Sequence, residues 1–217
     1  MSGCFITFEG IEGSGKTTQL ARLADRLREI GRTVLATRQP GGTPLGERLR
    51  ELLLDPSASL APETELLLYA ADRAEHHARV VLPALERGEI VLCDRHLDAT
   101  LAYQGAARGL SRTWIREMHG RGVLALRPQR TLWIDVPVDT ALRRARERTA
   151  LATPAESRFE DETLAFHRRV REGYASLADG EPERIRRIDG TGSVDEVAER
   201  IEAALSDLPR LAVGSYS

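Results

Sequence analysis

The run Gly10-Ile11-Glu12-Gly13-Ser14-Gly15-Lys16-Thr17 holds the only lysine of the chain; the other 30 of the 31 Lys+Arg residues are arginine. It fits G-x-x-x-x-G-K-[ST], a loop whose main-chain amides cradle nucleotide phosphates. A compact ammonium on a flexible stem reaches between two phosphates, where a planar guanidinium is too wide. Retention of lysine at this one place therefore points to a nucleoside triphosphate. Amides from Gly13 to Thr17 would converge on the β-phosphate, Lys16 would bridge the β- and γ-phosphates, and the Thr17 hydroxyl would meet Mg²⁺.

Such a loop needs a strand before it and a helix after it. Cys4-Phe5-Ile6-Thr7-Phe8 reads as a short buried strand, and Leu20, Leu23, Ala24, Leu27 and Ile30 recur at helical spacing up to Gly31. The same reading gives strands at Thr33–Thr37, Ile90–Asp94, Thr131–Val136 and Arg184–Ile188. Helices are expected at about 45–54, at 62–88 with a bend at Pro83, around 111–121, from Asp139, at about 159–178, and after a Ser193/Glu196 capping box. The small, polar stretch Thr149–Ser157 reads as a mobile loop. Strands alternating with helices imply an α/β fold, a parallel sheet flanked by helices on both faces, with ligands at the C-terminal ends of the strands.

The 217 residues suit one domain, expected over 1–211 with a frayed tail at 212–217. A formal net charge of -2 offers no electrostatic footprint for nucleic acid. Cys4 and Cys93 lie in apolar strands and read as buried, reduced thiols. No apolar run approaches the roughly eighteen residues of a membrane span, and the first strand begins at once, leaving no room for a signal peptide. The expected location is the cytoplasm.

Four further blocks resemble the thymidylate kinase family. Thr37-Arg38-Gln39-Pro40-Gly41-Gly42-Thr43 is similar to its T-R-E-P-G-G-T signature, and Tyr69-Ala70-Ala71-Asp72-Arg73-Ala74 to its F-A-x-D-R-A segment. Asp94-Arg95-His96 with Ala102-Tyr103-Gln104-Gly105 resembles D-R-[YH]…A-Y-Q-G, and Arg158-Phe159-Glu160 the R-[FIY]-E at the end of a lid. The resemblance implies a P-loop fold of the nucleoside monophosphate kinase type with a mobile lid at about 146–160. It also implies transfer of the ATP γ-phosphoryl to dTMP with Mg²⁺, and a homodimer for which the apolar helix Leu66–Val81 is a plausible face.

An acceptor phosphate is already anionic at neutral pH, so catalysis reduces to holding two charged groups in line and screening their repulsion. Arg95, just past the strand that carries Asp94, is the expected clamp on the acceptor phosphate, with Arg38 second. Asp94 is the expected Mg²⁺ carboxylate. Tyr69 and Arg73 stand four apart on one helix face. By resemblance Tyr69 stacks on thymine, Arg73 bonds the pyrimidine edge, and Tyr103 and Gln104 close over sugar and base, Tyr103 crowding a 2′-hydroxyl. Glu9, Pro40 and Thr100 join the substrate site on the same ground. With Glu12 acidic inside the loop, the catalytic guanidinium is expected from the lid, which offers Arg146, Arg148 and, aligned by the family motif, Arg158. Gln39 stands where the family has glutamate, Ala99 where serine is common, and Ser157 where aspartate is usual.

A GTPase reading fails because the chain has no asparagine for N-K-x-D. Another nucleoside monophosphate kinase, or a non-catalytic ATP-binding module, remains the alternative. A panel of monophosphates separates the first; a degraded site would mark the second, whereas Lys16, Thr17, Asp94 and Arg95 are all present.

Overall fold

The computed structural model describes residues 3–149, 159, 162–208 and 211. Five strands, β1 (Cys4–Glu9), β2 (Val34–Arg38), β3 (Ile90–Asp94), β4 (Arg130–Asp135) and β5 (Ile185–Asp189), form a parallel sheet in the order β2-β3-β1-β4-β5. Central β1 is buried along its whole length, which is why it reads as a continuous apolar run rather than an alternation. Its C-terminal end lies beside that of β3, with Phe8 opposite Asp94. The loops leaving these two strands therefore emerge side by side, at the point where strand order reverses and ligands bind in open α/β sheets.

Helices cover both faces. α1 (Lys16–Glu29) and α9 (Val194–Leu205) pack together on the side of Ile6 and Phe8. α4 (Leu82–Glu86) meets Phe5 on the other side, where α8 (Leu164–Gly180) presents Tyr174 to Glu9. The remaining helices are α2 (Pro44–Leu54), α3 (Pro62–His76), α5 (Leu97–Thr100), α6 (Arg112–Met118) and α7 (Val138–Thr149). The capping box at Ser193 is present, with Ser193 N–H donating to Glu196 at 2.7 Å. Cys4 and Cys93 are buried and form no disulfide. Among the described residues no helix is long and apolar enough to cross a membrane.

Three elements differ from the expectation. Where a bend at Pro83 is expected, the helix takes a π-helical turn, His77–Val81, in which Leu82 N–H reaches back five residues to His77 O. The lost proline donor is thereby absorbed before the ring is reached. The stretch around Tyr103, to which no element is assigned from the sequence, is helical: α5 continues into a π-helical Leu101–Ala107. It packs tightly on α8, where a Cβ on Gly173 would come within 2.9 Å of Ala106 and 3.1 Å of the Ala102 backbone. Finally, α8 begins at Leu164 rather than at 159, because Thr163 accepts from Phe166 N–H as its N-cap. The expected lid falls largely outside the described residues, as do Arg158 and the 212–217 tail.

Candidate active site

The loop after β1 turns through left-handed glycines, Gly13 at φ 74° and Gly15 at φ 95°, the latter serving as N-cap of α1. Gly13 has no alternative: a Cβ there would overlap the Ala141 carbonyl on α7. The first turn of α1 carries no acidic side chain, so its unpaired amides and positive dipole end face the loop. Lys16 Nζ folds back to donate to Ile11 O at 2.9 Å. Burial, with Arg95 nearby, lowers the Lys16 ammonium to about 8, although Asp94, Glu12 and Glu9 pull the other way. Ser14 Oγ is buried without a partner among the described residues. Gly10 and Ile11 complete the turn, Ile11 being buried in the core.

Thr17 and Asp94 meet at the mouth of this loop, the hydroxyl donating to Asp94 Oδ2 at 2.6 Å. Two hard oxygens beside a phosphate cradle fit Mg²⁺, which keeps several waters and takes few protein ligands.

Arg95 has φ 70°, the one positive value at a non-glycine residue among the described residues. Its own N–H bonds Phe8 O at 2.9 Å, which ties the strained residue to the end of β1. The guanidinium bonds Glu12 at 2.5 Å and the Tyr103 hydroxyl at 3.1 Å, and its Cζ lies 4.8 Å over the Tyr103 ring. Tyr103 in turn donates to Glu12 at 2.8 Å. Burial pushes the Glu12 carboxyl up, but Arg95 and Lys16 outweigh it and hold it below the usual range. His167 on α8 adds a ring nitrogen 3.7 Å from Glu12.

Glu9 ends β1 behind this cluster. It accepts from His96 N–H at 2.7 Å and from the Tyr174 hydroxyl at 2.8 Å, and so props the turn into α5. Burial, then Asp98, pushes its carboxyl up to about 7.

The cleft runs about 610 Å³ from Lys16 and Thr17 past Asp94 and Arg95 to Tyr69 and Arg73. Arg38, Pro40, Thr100, Tyr103 and Gln104 also line it. Arg38 leans outward onto Glu47 at 2.8 Å, and Pro40 O accepts from Arg50 at 3.1 Å. Gln104 donates to buried Glu65 at 2.8 Å. Arg73 is buried and bonded to Gln39 at 2.9 Å, His119 at 2.7 Å and Thr100 at 2.9 Å. Gln39 continues to His76 at 2.9 Å, and His76 to Thr37 at 2.7 Å. Gly41 N–H, two residues along the same turn, bonds Asp72 at 2.9 Å.

No local signal in the residues singles out His76, His119 or His167, and His96 and Gln39 stand out only as members of motif blocks, Gln39 as a departure. The available signal was compositional: the chain has five histidines, and all are buried. In the expected lid, Arg146 is exposed on α7, the Arg148 side chain lies outside what is described, and Arg158 lies outside altogether. Arg144 on α7 donates to Gly190 O at 3.2 Å.

The family model described as thymidylate kinase matches residues 8–201. The thymidylate kinase of Syntrophotalea carbinolica is 53% identical over 212 residues, covering 97% of this chain and 98% of that protein. That of Thermomicrobium roseum is 54% identical over 204 residues, 94% of this chain and 95% of that one. The crystal structure of thymidylate kinase from Ehrlichia chaffeensis superposes with a TM-score of 0.77 at 34% identity, over 94% of this chain and all of that chain.

Proposed function

The chain belongs to the thymidylate kinase family, and from that premise we propose how its own residues carry the reaction. It transfers the γ-phosphoryl of ATP to dTMP, giving dTDP and ADP, a step toward dTTP. An acceptor phosphate oxygen bonds the γ-phosphorus as the bond to the β-bridging oxygen breaks, and the electron pair leaves on ADP. No proton needs to be removed first, so positioning and charge neutralisation do the work.

The observation that carries the assignment of roles is that the donor loop and the β3 end share one cleft wall. Lys16, Thr17, Asp94 and Arg95 all line it. Lys16 holds the β- and γ-phosphates, with the amides from Gly13 to Thr17 beneath them. Thr17 and Asp94 would hold Mg²⁺, which when bound would neutralise charge on the transferring group. Arg95 clamps the acceptor phosphate, helped by a strained backbone that fixes its direction. Glu12 and Tyr103 hold that guanidinium ready, and Tyr103 crowds a 2′-hydroxyl. Tyr69 stacks on the base and Arg73 donates to its edge, with Thr100 and Gln104 beside it; Glu9 supports the turn they stand on. Arg158 from the lid completes the cradle over ATP, closing out water.

The protein works as a cytoplasmic homodimer, a reading supported by its two buried cysteines, which form no disulfide, and by Leu67 of α3, which is 52% exposed. Sedimentation of Leu67→Glu tests the dimer; an unchanged mass discards that face. For the roles, ADP release is followed with dTMP, dUMP, dGMP and UMP as acceptors. Selective turnover of dTMP, abolished in Lys16→Ala, is expected, and full activity of that variant overturns the donor site.

A further inference from the structure

Arg73 carries a buried charge, yet no ion pair to a carboxylate is found for it among the described residues; its three bonds go to neutral acceptors. The protonation of each partner follows from donor chemistry alone. A carbonyl only accepts, so His119 Nδ1, 2.8 Å from Ile115 O, carries the proton, and Nε2 is left bare to receive Arg73 Nη1 at 2.7 Å. A guanidinium only donates, so Gln39 turns Oε1 to Arg73 Nε and offers its amide N–H to His76 Nδ1. His76 must then carry its proton on Nε2 and donate to Thr37. Burial, then the charge of Arg73, lowers both His76 and His119 to about 4, which keeps these rings neutral.

We infer that His119, with Gln39 and His76 opposite it, is a positioning residue for base selection: together they lock the Arg73 guanidinium so that its remaining N–H groups point at a pyrimidine carbonyl. The inference rests on the reading of Arg73 as the donor to the base edge. Three of five N–H groups are taken by the wall, from two sides, which leaves one on each terminal nitrogen for a ligand. Asp72 and Glu9 favour the charge from nearby, but among the described residues no carboxylate bonds the guanidinium, so its two remaining N–H groups stay strongly positive donors. They therefore favour a carbonyl oxygen at the base edge and oppose an amino group there. A glutamate at position 39, as the family motif has, would draw that charge into an ion pair; Gln39 anchors the same nitrogen without doing so.

The base edge is gripped alike in ground and transition states, so a loss of aim shows in KM rather than in kcat. His119→Leu removes the acceptor and His119→Gln returns one. We expect His119→Leu to raise KM for dTMP on the order of tenfold, as loss of a bond to a charged group does. Its preference for dTMP over dCMP should shrink by a similar factor, with kcat and KM for ATP little changed. His119→Gln should recover most of both. Arg73→Ala is the control. Loss of selectivity in Arg73→Ala but not in His119→Leu overturns the positioning role while sparing the base reader; retained selectivity in Arg73→Ala overturns both. A His119→Leu defect shared by kcat and ATP, and not rescued by glutamine, marks a merely structural residue and also ends the inference.

Discussion

Arg95 Nη2 lies 2.5 Å from Glu12 Oε1, so the guanidinium proposed to grip the acceptor already rests on a carboxylate of the donor loop. The pair is mostly buried, where breaking one partner leaves an uncompensated charge. It cannot therefore be read as a surface ion pair of little consequence. Glu12 and Tyr103 bond Nη2 alone, so an arriving phosphate dianion meets the guanidinium beside an existing negative charge. The carboxylate both aims Arg95 and opposes the substrate.

That double role predicts a split in Glu12→Gln. Removing the negative charge should tighten dTMP binding several-fold. Loss of the charged bond that aims Arg95 should lower kcat on the order of tenfold or more. Calorimetric Kd together with single-turnover rates reads the two separately. Unchanged values of both would show that Glu12 neither repels the acceptor nor orients the clamp.

Lys16 makes the donor side responsive to pH. Its folded value of about 8 is lowered by burial, and the phosphates it is proposed to hold would raise it again. ATP binding at about pH 8.5 should then take up most of one proton, and at about pH 6.5 Lys16 should contribute none. Calorimetry in buffers of different ionisation enthalpy measures this directly. Equal proton linkage at both pH values would mean that the ammonium does not sit on the phosphates.

Some of this was legible in the residues and some was not, for physical reasons. The phosphate loop could be read because its chemistry tolerates few residue types: Gly13 meets Ala141, and one lysine survives among arginines. The strand periods of β1 and β3 could be read for the same kind of reason, burial on both faces. Strand order could not be derived from alternation alone, since it depends on which crossovers pack. The helix through Tyr103 was hidden by its π-helical winding and by Gly105. His119 reaches Arg73 from the C-cap of α6, 46 positions away, so no local spacing announces it. Likewise the positive φ of Arg95 is imposed by the bond to Phe8 O and leaves no mark on residue type.

The five buried histidines predict marked acid sensitivity. Burial is the leading cause in each: His76 and His119 fall to about 4, His77 to about 3, His96 goes well below its ordinary 6.5, and His167 is also lowered. A base with a depressed folded value contributes stability that is present above its unfolded pKa and lost as pH falls through the folded one. Glu9 and Asp72, raised to about 7 and about 6, act in the opposite sense over part of the same window, but they are two groups against five. Unfolding free energy should therefore drop between about pH 6.5 and pH 4.5. Its slope should correspond to roughly two to three protons taken up on unfolding. A flat profile across that range would mean the rings are protonated in the fold.

Glu9 isolates the opposite sign at one site. Burial, then Asp98, raises its carboxyl from 4.5 to about 7, so the protonated form belongs to the fold. Its contribution to stability is complete below the unfolded value and is lost as pH climbs through about 7. Glutamine keeps the shape and an acceptor but cannot ionise. Relative to the parent, Glu9→Gln should therefore gain stability as pH rises from about 4.5 to about 8, by up to about 3 kcal/mol from the size of the shift. The backbone N–H of His96 and the Tyr174 hydroxyl bond Glu9 from two sides, and an amide oxygen can serve only one of them well. The variant should accordingly start below the parent at acid pH and cross it near neutrality. Parallel denaturation curves with a constant gap across that span would show that Glu9 is ionised throughout, with Arg95 rather than burial governing its charge.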